Sequence, residues 1–254
     1  MNSSNIQQNI LIVGASRGIG FGFVKTLLKE KNNIKVYATY GNKENAEDLF
    51  KLQLEYSSCL NLFQLDVTEE EQINNLSRQL KQEISNLHLF INCVGFLQKD
   101  NIKPEKSLRH INSKNLLTYF QVNSIATVLL AKYLLPFFRH SEPSIFAAVS
   151  AKVGSIGDNY LGGWYGYRAS KTALNMFLKN ISIEYKRTCP HTVVVALHPG
   201  TTDTDLSKPF QKNVPPEKLF SVERTVNQLL KIIDNLTEND TGKFFSWDGS
   251  PLPW

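Results

Sequence analysis

Cysteine is scarce in this sequence of 254 residues, which contains only Cys59, Cys93 and Cys189. Because their number is odd and no two stand in a C-x-x-C pair, the pattern supports neither a disulfide framework nor a zinc site. The five histidines also lack the spacing of metal ligands. We therefore expect no metal site, and this cysteine usage favours a cytoplasmic protein in a reducing environment.

Unbroken apolar runs of the roughly 18 residues that a membrane span needs are missing as well. The polar start, Met1 to Gln8, lacks the charged and apolar regions of a signal peptide. Lys and Arg number 28 and Asp and Glu 23, so the net charge is only +5 and too diffuse for a nucleic-acid binder. We thus expect no membrane or nucleic-acid partner, and the mild positive charge would suit an anionic small molecule.

The sequence does contain a regular alternation of short apolar runs and longer segments with helical spacing. Predicted strands cover 9–13, 34–39, 60–65, 87–94, 145–149, 192–197 and 243–247. Predicted helices cover 18–30, 44–55, 112–138, 221–236 and a segment that follows the loop 154–163 and runs to 185, and another helix is opened by a capping box of Thr68 and Glu71. This alternation predicts one α/β domain over 1–254, a doubly wound parallel sheet with helices on both faces and a ligand crevice at the carboxyl ends of its strands.

A glycine-rich string, G-x-x-x-G-x-G, follows the first predicted strand and opens the first helix. Bare backbone and the positive end of a helix then face one point, which suits a pyrophosphate. An ordinary strand-to-helix turn is the alternative if this string stands alone. The candidate cofactor-binding residues in it are Gly14, Ser16, Arg17, Gly18, Ile19 and Gly20.

A carboxylate is absent from the end of the second predicted strand, where Asp or Glu would hold both ribose hydroxyls and repel a 2′-phosphate. Arg17 and Lys43 would instead neutralise that phosphate, which favours NADP over NAD unless both are solvated surface charges. Asp66, followed by Val67 after the third strand, is a candidate for contact with adenine, or equally a residue that starts a helix. Asn92 and Gly95 close the fourth strand, either against the middle of a cofactor or as a plain turn.

Tyr167 is the one tyrosine with a lysine four residues later, Lys171, which places phenol and ammonium on one helix face. The pair follows the fifth strand and so lies at the same sheet edge as the glycine turn. A free phenol titrates near pH 10, and a close ammonium with an oxidised nicotinamide would lower that value. Tyr167 is therefore the predicted proton donor and acceptor, and Lys171 would tune it and hold ribose hydroxyls.

These motifs, in this order, resemble the short-chain dehydrogenase/reductase family. The glycine turn, N-x-x-G, Ser150, Y-x-x-x-K and Pro199-Gly200 all match its pattern from about residue 9 onward. The strings 153–159, 162–165 and 247–254 are similar to the branch of C-factor and the sniffer-type carbonyl reductases. The resemblance implies hydride transfer between a nicotinamide and a small carbonyl or alcohol, a sheet of about seven strands, and a homodimer or homotetramer.

The resemblance also assigns further residues by matching position. Asn123 corresponds to the family asparagine that supports a water relay to the lysine, although a mid-helix Asn otherwise simply faces solvent. Thr202 and Thr204 correspond to positions near the nicotinamide carboxamide, with turn chemistry as the alternative. Residues 96–110 and 205–219 are expected to border the substrate pocket, the second segment within a substrate-loop and cap region around 199–220.

The family serine is where this chain departs from the pattern. Alignment on Gly154 places Ala151 at the serine whose hydroxyl binds the substrate oxygen, and Ser150 stands one residue early. Because one step along a strand turns a side chain to the other face, Ser150 reaches the site only from a distorted strand end. Ser155 or no serine at all are the alternatives, and Ser150 is the provisional choice.

The favoured hypothesis is a cytoplasmic NADPH-dependent carbonyl reductase. Its rival is a cofactor-binding regulatory or signalling protein with little turnover, which Ala151 motivates. A third hypothesis is an NAD-dependent alcohol oxidation. Trp164, Tyr165 and Trp254 are candidates for an apolar pocket, or for packing and subunit contacts, and the sequence does not identify the substrate.

Overall fold

A computed structural model describes residues 7–99 and 101–254, so residues 1–6 of the polar start and Asp100 of the predicted pocket border lie outside the described residues. The predicted doubly wound sheet is confirmed, and it has seven parallel strands: β1 (Gln8–Val13), β2 (Ile34–Tyr40), β3 (Leu60–Gln64), β4 (Leu89–Asn92), β5 (Ser144–Val149), β6 (Thr192–His198) and β9 (Lys243–Ser246). Their order in the sheet is β3-β2-β1-β4-β5-β6-β9. A separate parallel pair consists of β7 (Thr201–Thr202) and β8 (Leu219–Phe220).

Helices cover both faces of the sheet. The α-helices are α1 (Gly18–Glu30), α2 (Glu47–Glu55), α3 (Glu70–Glu83), α4 (Ser113–Phe120), α5 (Ala126–Leu134), α6 (Tyr165–Thr188) and α7 (Val222–Asp234). Short 3₁₀ turns lie at Lys43–Asn45, Leu108–His110, Leu135–Phe138, Lys152–Gly154, Lys208–Asn213, Pro216–Lys218 and Glu238–Asp240. The helices α1, α2 and α7 pack on one face, and α3, α5 and α6 pack on the other.

Two hydrophobic cores follow from the alternation of side chains along each strand. In β1, Leu11 and Val13 face the core under α3, α5 and α6, whereas Ile10 and Ile12 face the core under α1, α2 and α7. Because both faces are covered, the central strands are apolar at nearly every position, as is typical of a parallel sheet.

The strand order reverses direction at β1, which lies between β2 and β4. The chain builds the sheet outward to β3 and then returns to start β4 on the other side of β1. A crevice opens at such a switch point, outside the carboxyl ends of the strands. The glycine turn after β1, the segment after β4, Ser150 after β5 and Pro199 after β6 all come to this edge.

The helix predicted over 112–138 is interrupted. A π-helical turn, Gln121–Ile125, separates α4 from α5, and Asn123 lies in its centre. Hydrophobic periodicity alone does not distinguish a π turn from a continuous α-helix, which is why the sequence pattern missed it.

The predicted capping box of Thr68 and Glu71 is wrong. The helix α3 begins at Glu70 and receives no side-chain cap. Thr68 instead donates both its backbone N–H and its hydroxyl to the Asp66 carboxylate, at 2.9 and 2.7 Å. The nearby aspartate outcompetes the intended glutamate partner for the threonine.

By length and composition, the combined helix Ser113–Phe138 passes the criteria for a membrane span, with a mean hydropathy of 1.2 over its most apolar window. The segment is still not an unbroken apolar run, because polar residues such as Gln121, Asn123 and Lys132 interrupt it. Its buried residues, Ala126, Leu130 and Leu134 among them, pack in the core shared with α3 and α6. A core helix meets the same two criteria.

Gly20 and Gly22 make matched tests of the packing of α1. A Cβ at Gly20 would lie 2.1 Å from the backbone oxygen of Gly14, whereas one at Gly22 would meet only the side chains of Val222 and Val226, at 2.6 and 2.9 Å. We expect Gly20→Ala to destabilise the fold by about 2 kcal/mol or more, because the backbone contact cannot move aside. Gly22→Ala gains the same helix propensity and should be clearly milder. Urea unfolding of both variants measures the difference, and equal losses would contradict the assigned contact.

Candidate active site

The glycine turn leaves the start of α1 open at the crevice. Gly14 and Gly18 adopt positive φ angles of 82° and 56°, a region that L side chains rarely occupy. The first turn of α1 has no acidic residue, and its N-cap residue, Arg17, forms no side-chain cap. Because the helix end is positive and sterically bare, the residues present fit a phosphate group.

Arg17 and Lys43 both lie at the surface. The Arg17 guanidinium is 3.1 Å from the carboxylate of Asp205, and both side chains are about two-thirds exposed (65% and 64%). Lys43 lies over the ring of Phe50, with its Nζ 5.3 Å from the ring centroid. Neither cation is fixed by burial, so both can turn to an anion at the end of β2.

The side chains of Asp66, just after β3, and Asn92, at the end of β4, form hydrogen bonds within the protein. Asp66 accepts the backbone N–H and the hydroxyl of Thr68, but the N-cap of α3 is Glu69, so Asp66 does not cap that helix and its contact with adenine stays a prediction. Asn92 donates to Thr127 Oγ1 at 2.8 Å and accepts the Val94 N–H at 3.0 Å. Val67 is buried, and the side chain of Ile19 packs against the core beneath α1.

Gly95 lies at the floor of the crevice. A Cβ built there would be 3.5 Å from Leu206 Cδ1 and 3.9 Å from the Lys171 ammonium. The glycine thus lies between α6 and the segment after β7. Sequence reasoning placed Gly95 against the middle of a cofactor, and this position at the crevice floor is compatible with that prediction.

Tyr167 and Lys171 lie one turn apart on α6 and are both buried, with exposures of 7% and 3%. Burial raises the pKa of Tyr167 to about 12 and lowers the pKa of Lys171 to about 8. The expected lowering of the phenol pKa is therefore not produced by the protein alone. At neutral pH the phenol is protonated, the form that a proton donor requires.

The Lys171 ammonium donates to the backbone oxygen of Val149 at 3.0 Å. Gly154 packs directly on this lysine, since a Cβ at Gly154 would lie 2.7 Å from Lys171 Cβ. The end of β5 and the following turn therefore hold the lysine stem in place. An ammonium has three hydrogen-bond donors, and this bond uses one of them.

Asn123 is buried rather than solvent-facing. Its side chain pairs with both backbone groups of Phe96, accepting the N–H at 2.7 Å and donating to the carbonyl oxygen at 2.9 Å, and it also donates to Ser170 Oγ at 3.0 Å. The π turn aims this amide at the segment after β4. Asn123 thus ties the floor of the crevice to α6, and its role in a water relay stays a prediction.

Both candidate serines are hydrogen-bonded within the protein. Ser150 donates its hydroxyl hydrogen to Asn175 Oδ1 at 2.6 Å, and both residues are buried. Ser155 donates to the backbone oxygen of Trp254 and accepts the N–H of Asp158, each at 3.2 Å. Each hydroxyl is already committed within the protein, so this geometry does not support the provisional assignment of Ser150 as donor to substrate oxygen.

An apolar, aromatic cluster surrounds the phenol. Tyr119 and Trp164 pack edge-on against Tyr167, with ring centroids 6.4 and 6.1 Å away. The ring centroids of Phe210 and Trp164 are 4.8 Å apart, and those of Phe96 and Tyr119 are 5.4 Å apart. The remaining members are Leu97, Ile102 and Val153. Burial within this cluster is what desolvates the phenol.

Two of the other predicted pocket aromatics are elsewhere. Tyr165 is 38% exposed at the start of α6. Trp254 stacks on Phe244, with ring centroids 5.5 Å apart, and so covers the end of the sheet near β9. Trp254 therefore packs on the sheet, which was the predicted alternative to a place in an apolar pocket.

The loop after β6 is shaped by turn chemistry. Thr202 shares a hydrogen bond of 2.8 Å with Thr225 on α7, and Thr204 donates to the Thr202 carbonyl oxygen at 3.4 Å. Gly200, after Pro199, has a φ of 72°, and a Cβ there would lie 2.6 Å from the Phe220 ring. A Cβ built at Gly18 would lie 3.3 Å from the methyl carbon of Thr204. This loop therefore borders the glycine turn.

Cys93 and His198 are both uncharged at neutral pH. Burial raises the pKa of the Cys93 thiol, and burial together with nearby Lys152 lowers the pKa of His198 to about 4. Within residues 7–99 and 101–254, no group of three His, Cys, Asp or Glu side chains is placed to hold a metal ion.

Two buried residues at the site were missed from the sequence. Asn175 lies four residues after Lys171, so its place on the same helix face was readable from the spacing. Glu105 contacts the start of α6, where its carboxylate accepts the Gly166 N–H at 3.0 Å. It lies in an aperiodic segment 61 residues away, and no local signal reveals that contact.

Comparisons with known proteins agree with this geometry. The family model for short chain dehydrogenases matches residues 8–215. The carbonyl reductase Sniffer of D. melanogaster aligns with a TM-score of 0.86 and 26% identity over 98% of this chain and all of that chain. The NADPH-bound carbonyl reductase from chicken fatty liver has a TM-score of 0.86 and 30% identity over 98% of this chain and 99% of that one.

A curated relative extends the match. The benzil reductase of Saccharomyces cerevisiae that forms (S)-benzoin is 31% identical over 213 residues, which are 82% of this chain and 76% of the relative. The predicted likeness to sniffer-type carbonyl reductases is thereby confirmed. The chain belongs to the short-chain dehydrogenase family.

Proposed function

We propose that this oxidoreductase is an NADPH-dependent carbonyl reductase that acts on small, apolar aromatic aldehydes or ketones. The observation that carries the proposal is a protonated, buried phenol, that of Tyr167, within an aromatic cluster and one helical turn from a buried ammonium. The open glycine turn at the same sheet edge supplies the phosphate site that such chemistry requires.

When bound, the nicotinamide supplies the hydride that reduces the carbonyl carbon. Tyr167 delivers a proton to the carbonyl oxygen as negative charge develops there. Lys171 then stabilises the phenolate that remains, because an ammonium in a dry site interacts strongly with a nearby anion. Asn123 keeps the segment after β4 in register with α6, so the pocket wall and the phenol hold a constant separation.

The aromatic walls support the choice of substrate. Trp164, Phe210 and Phe96 present flat apolar surfaces near Tyr167. Such walls favour a planar, uncharged substrate through burial and edge-to-face contacts. The relative that reduces benzil, an aromatic diketone, makes benzil the first substrate to try.

The preference for NADP rests on charge. No carboxylate stands at the end of β2, and Arg17 and Lys43 are both solvent-accessible at this edge. The NADPH named with the chicken enzyme, to which this chain is similar, gives independent support.

The rival regulatory function keeps one supporting observation, the alanine at position 151. It leaves unexplained why a phenol and an ammonium are both buried beside an aromatic pocket. We therefore favour the enzyme, while NAD-dependent alcohol oxidation would require a carboxylate that β2 lacks.

Assembly as a homodimer or homotetramer and a cytoplasmic location remain predictions. Large apolar side chains on the outward sides of two neighbouring helices favour assembly. These are Leu117 on α4 and Met176 and Ile183 on α6, each at least half exposed.

Replacing the phenol tests the function directly. We expect Tyr167→Phe to lower the turnover of benzil with NADPH by at least about 100-fold, since general acid catalysis contributes factors of that size. NADPH binding should persist. Tyr165→Phe, two residues earlier and exposed, is the matched control and should keep wild-type turnover. Loss of NADPH absorbance gives the rate, and a Tyr167→Phe enzyme within threefold of wild type would rule out the proposed acid.

Restoring the family serine tests the oxygen donor. We expect Ala151→Ser to raise kcat at least about fivefold, because a hydroxyl donor to a developing alkoxide is worth a large rate factor. Ser150→Ala should instead lower stability by about 1 kcal/mol through loss of its bond to Asn175, and kcat should stay within threefold. A stable Ser150→Ala variant without turnover would show that Ser150 is the donor after all.

Removing the two cations tests the cofactor preference. We expect Arg17→Ala and Lys43→Ala together to weaken NADPH binding by at least about tenfold and to leave NADH binding unchanged, because only NADPH carries the 2′-phosphate. Lys29→Ala, at the far end of α1, is the charge-matched control. Fluorescence titrations with both nucleotides measure the Kd values, and an equal loss for NADH would exclude phosphate recognition by these residues.

A further inference from the structure

The helix that carries Tyr167 begins in an unfavourable way. Gly162, Gly163 and Trp164 all have positive φ angles, and Trp164, with a φ of 49°, is the N-cap of α6. Trp164 forms no side-chain cap, and the first turn of this helix of 24 residues contains no acidic residue. The N–H groups at a helix start have no partners within the helix, so a buried start needs support from elsewhere.

Glu105 supplies that support from the loop between β4 and α4. Its backbone oxygen accepts the Trp164 N–H at 2.6 Å, and its Oε2 accepts the Gly166 N–H at 3.0 Å. The residue is 2% exposed. A carboxylate at this point also interacts favourably with the positive end of the helix dipole.

The surroundings of the carboxylate are fitted closely. A Cβ at Gly166 would lie 2.4 Å from the Tyr119 ring and 3.0 Å from Glu105 Oε1, so no side chain fits at this helix position without displacing one of them. The same Tyr119 ring packs edge-on against Tyr167, and its hydroxyl donates to the Leu97 carbonyl oxygen at 2.7 Å. Within the described chain, Glu105 Oε1 is buried and has no hydrogen-bond partner.

A buried acidic side chain with one free oxygen is costly to the fold, so its presence calls for a reason. Gly166 directly precedes Tyr167, and the Trp164 ring packs edge-on against the phenol ring, with centroids 6.1 Å apart. Glu105 is thus hydrogen-bonded to Trp164, which packs on the phenol, and to Gly166, which directly precedes it. Lys171 lies a full turn further along α6, where the helix provides its own hydrogen bonds.

We propose that Glu105 is a positioning residue for the reaction of the preceding section, on which this inference rests. It caps α6 from another part of the chain and so fixes the phenol of Tyr167 against the Trp164 wall. Loss of the carboxylate leaves a buried N–H without a partner and lets the first turn of α6 open locally. The effect falls on Tyr167 and not on the cofactor contacts of Lys171.

Three variants test this role: Glu105→Ala, Glu105→Gln and, as matched control, Lys106→Ala at the exposed neighbouring position. Hydrogen exchange of the segment 162–170 is measured without any substrate. We expect exchange there to accelerate at least about tenfold in Glu105→Ala and to stay within threefold of wild type in Glu105→Gln, whose amide oxygen still accepts the Gly166 N–H. Lys106→Ala should not differ from wild type.

Kinetics provide the second arm. With benzil, we expect kcat to fall at least about tenfold in Glu105→Ala, the Kd for NADPH to stay within twofold, and Glu105→Gln to recover most of the kcat. A loss of stability alone would not separate kcat from cofactor affinity in this way. Unchanged exchange in Glu105→Ala, or a Gln variant as impaired as the Ala variant, would overturn the proposal. Absence of turnover in the wild type would count against the proposed function, and the exchange arm would still decide whether Glu105 caps the helix.

Discussion

Two groups that prefer water, the phenol of Tyr167 and the ammonium of Lys171, are buried one helical turn apart at the edge of the sheet. The arrangement around them follows from that constraint. Burial raises the pKa of the phenol and lowers the pKa of the lysine, and both shifts have the same cause, the loss of solvent. Aromatic rings on one side and the tight turn at Gly154 on the other exclude the water that would otherwise reach them.

Buried polar bonds hold this desolvated pair in place, and each joins segments that are distant in sequence. Asn123 connects the π turn to Phe96 after β4, and Ser150 connects the end of β5 to Asn175 on α6. Every such bond satisfies groups that would be expensive to leave unpaired in the interior. The site is thus built on rigid elements, and the polar residues that border it are occupied mainly with holding those elements together.

The fold was predictable because its signals are local and repeated. Apolar runs such as that of β1 and the glycine turn after it specify a strand and a helix start without reference to the rest of the chain, and parallel topology brings their ends to one edge. Tyr167 and Lys171 were found for the same reason, since their spacing lies within one helix. The partners of Ser150, Asn123 and Glu105 lie 25 to 61 residues away, and spacing along the chain carries no information about them. Local spacing can also mislead. Thr68 has two acidic residues within reach, and it bonds to Asp66 where the pattern predicted Glu71.

Burial of Lys171 also has a consequence for the stability of the whole domain. A lysine whose pKa is about 8 in the folded chain, and ordinary in the unfolded chain, binds its proton more weakly when folded. The contribution of this residue to stability therefore increases as the pH rises from about 8 towards 10.5, the ordinary value, and at neutral pH the buried charge works against folding by about 3 kcal/mol. The lysine is retained at the expense of the fold, and the two hydrophobic cores on either side of the sheet make that loss tolerable.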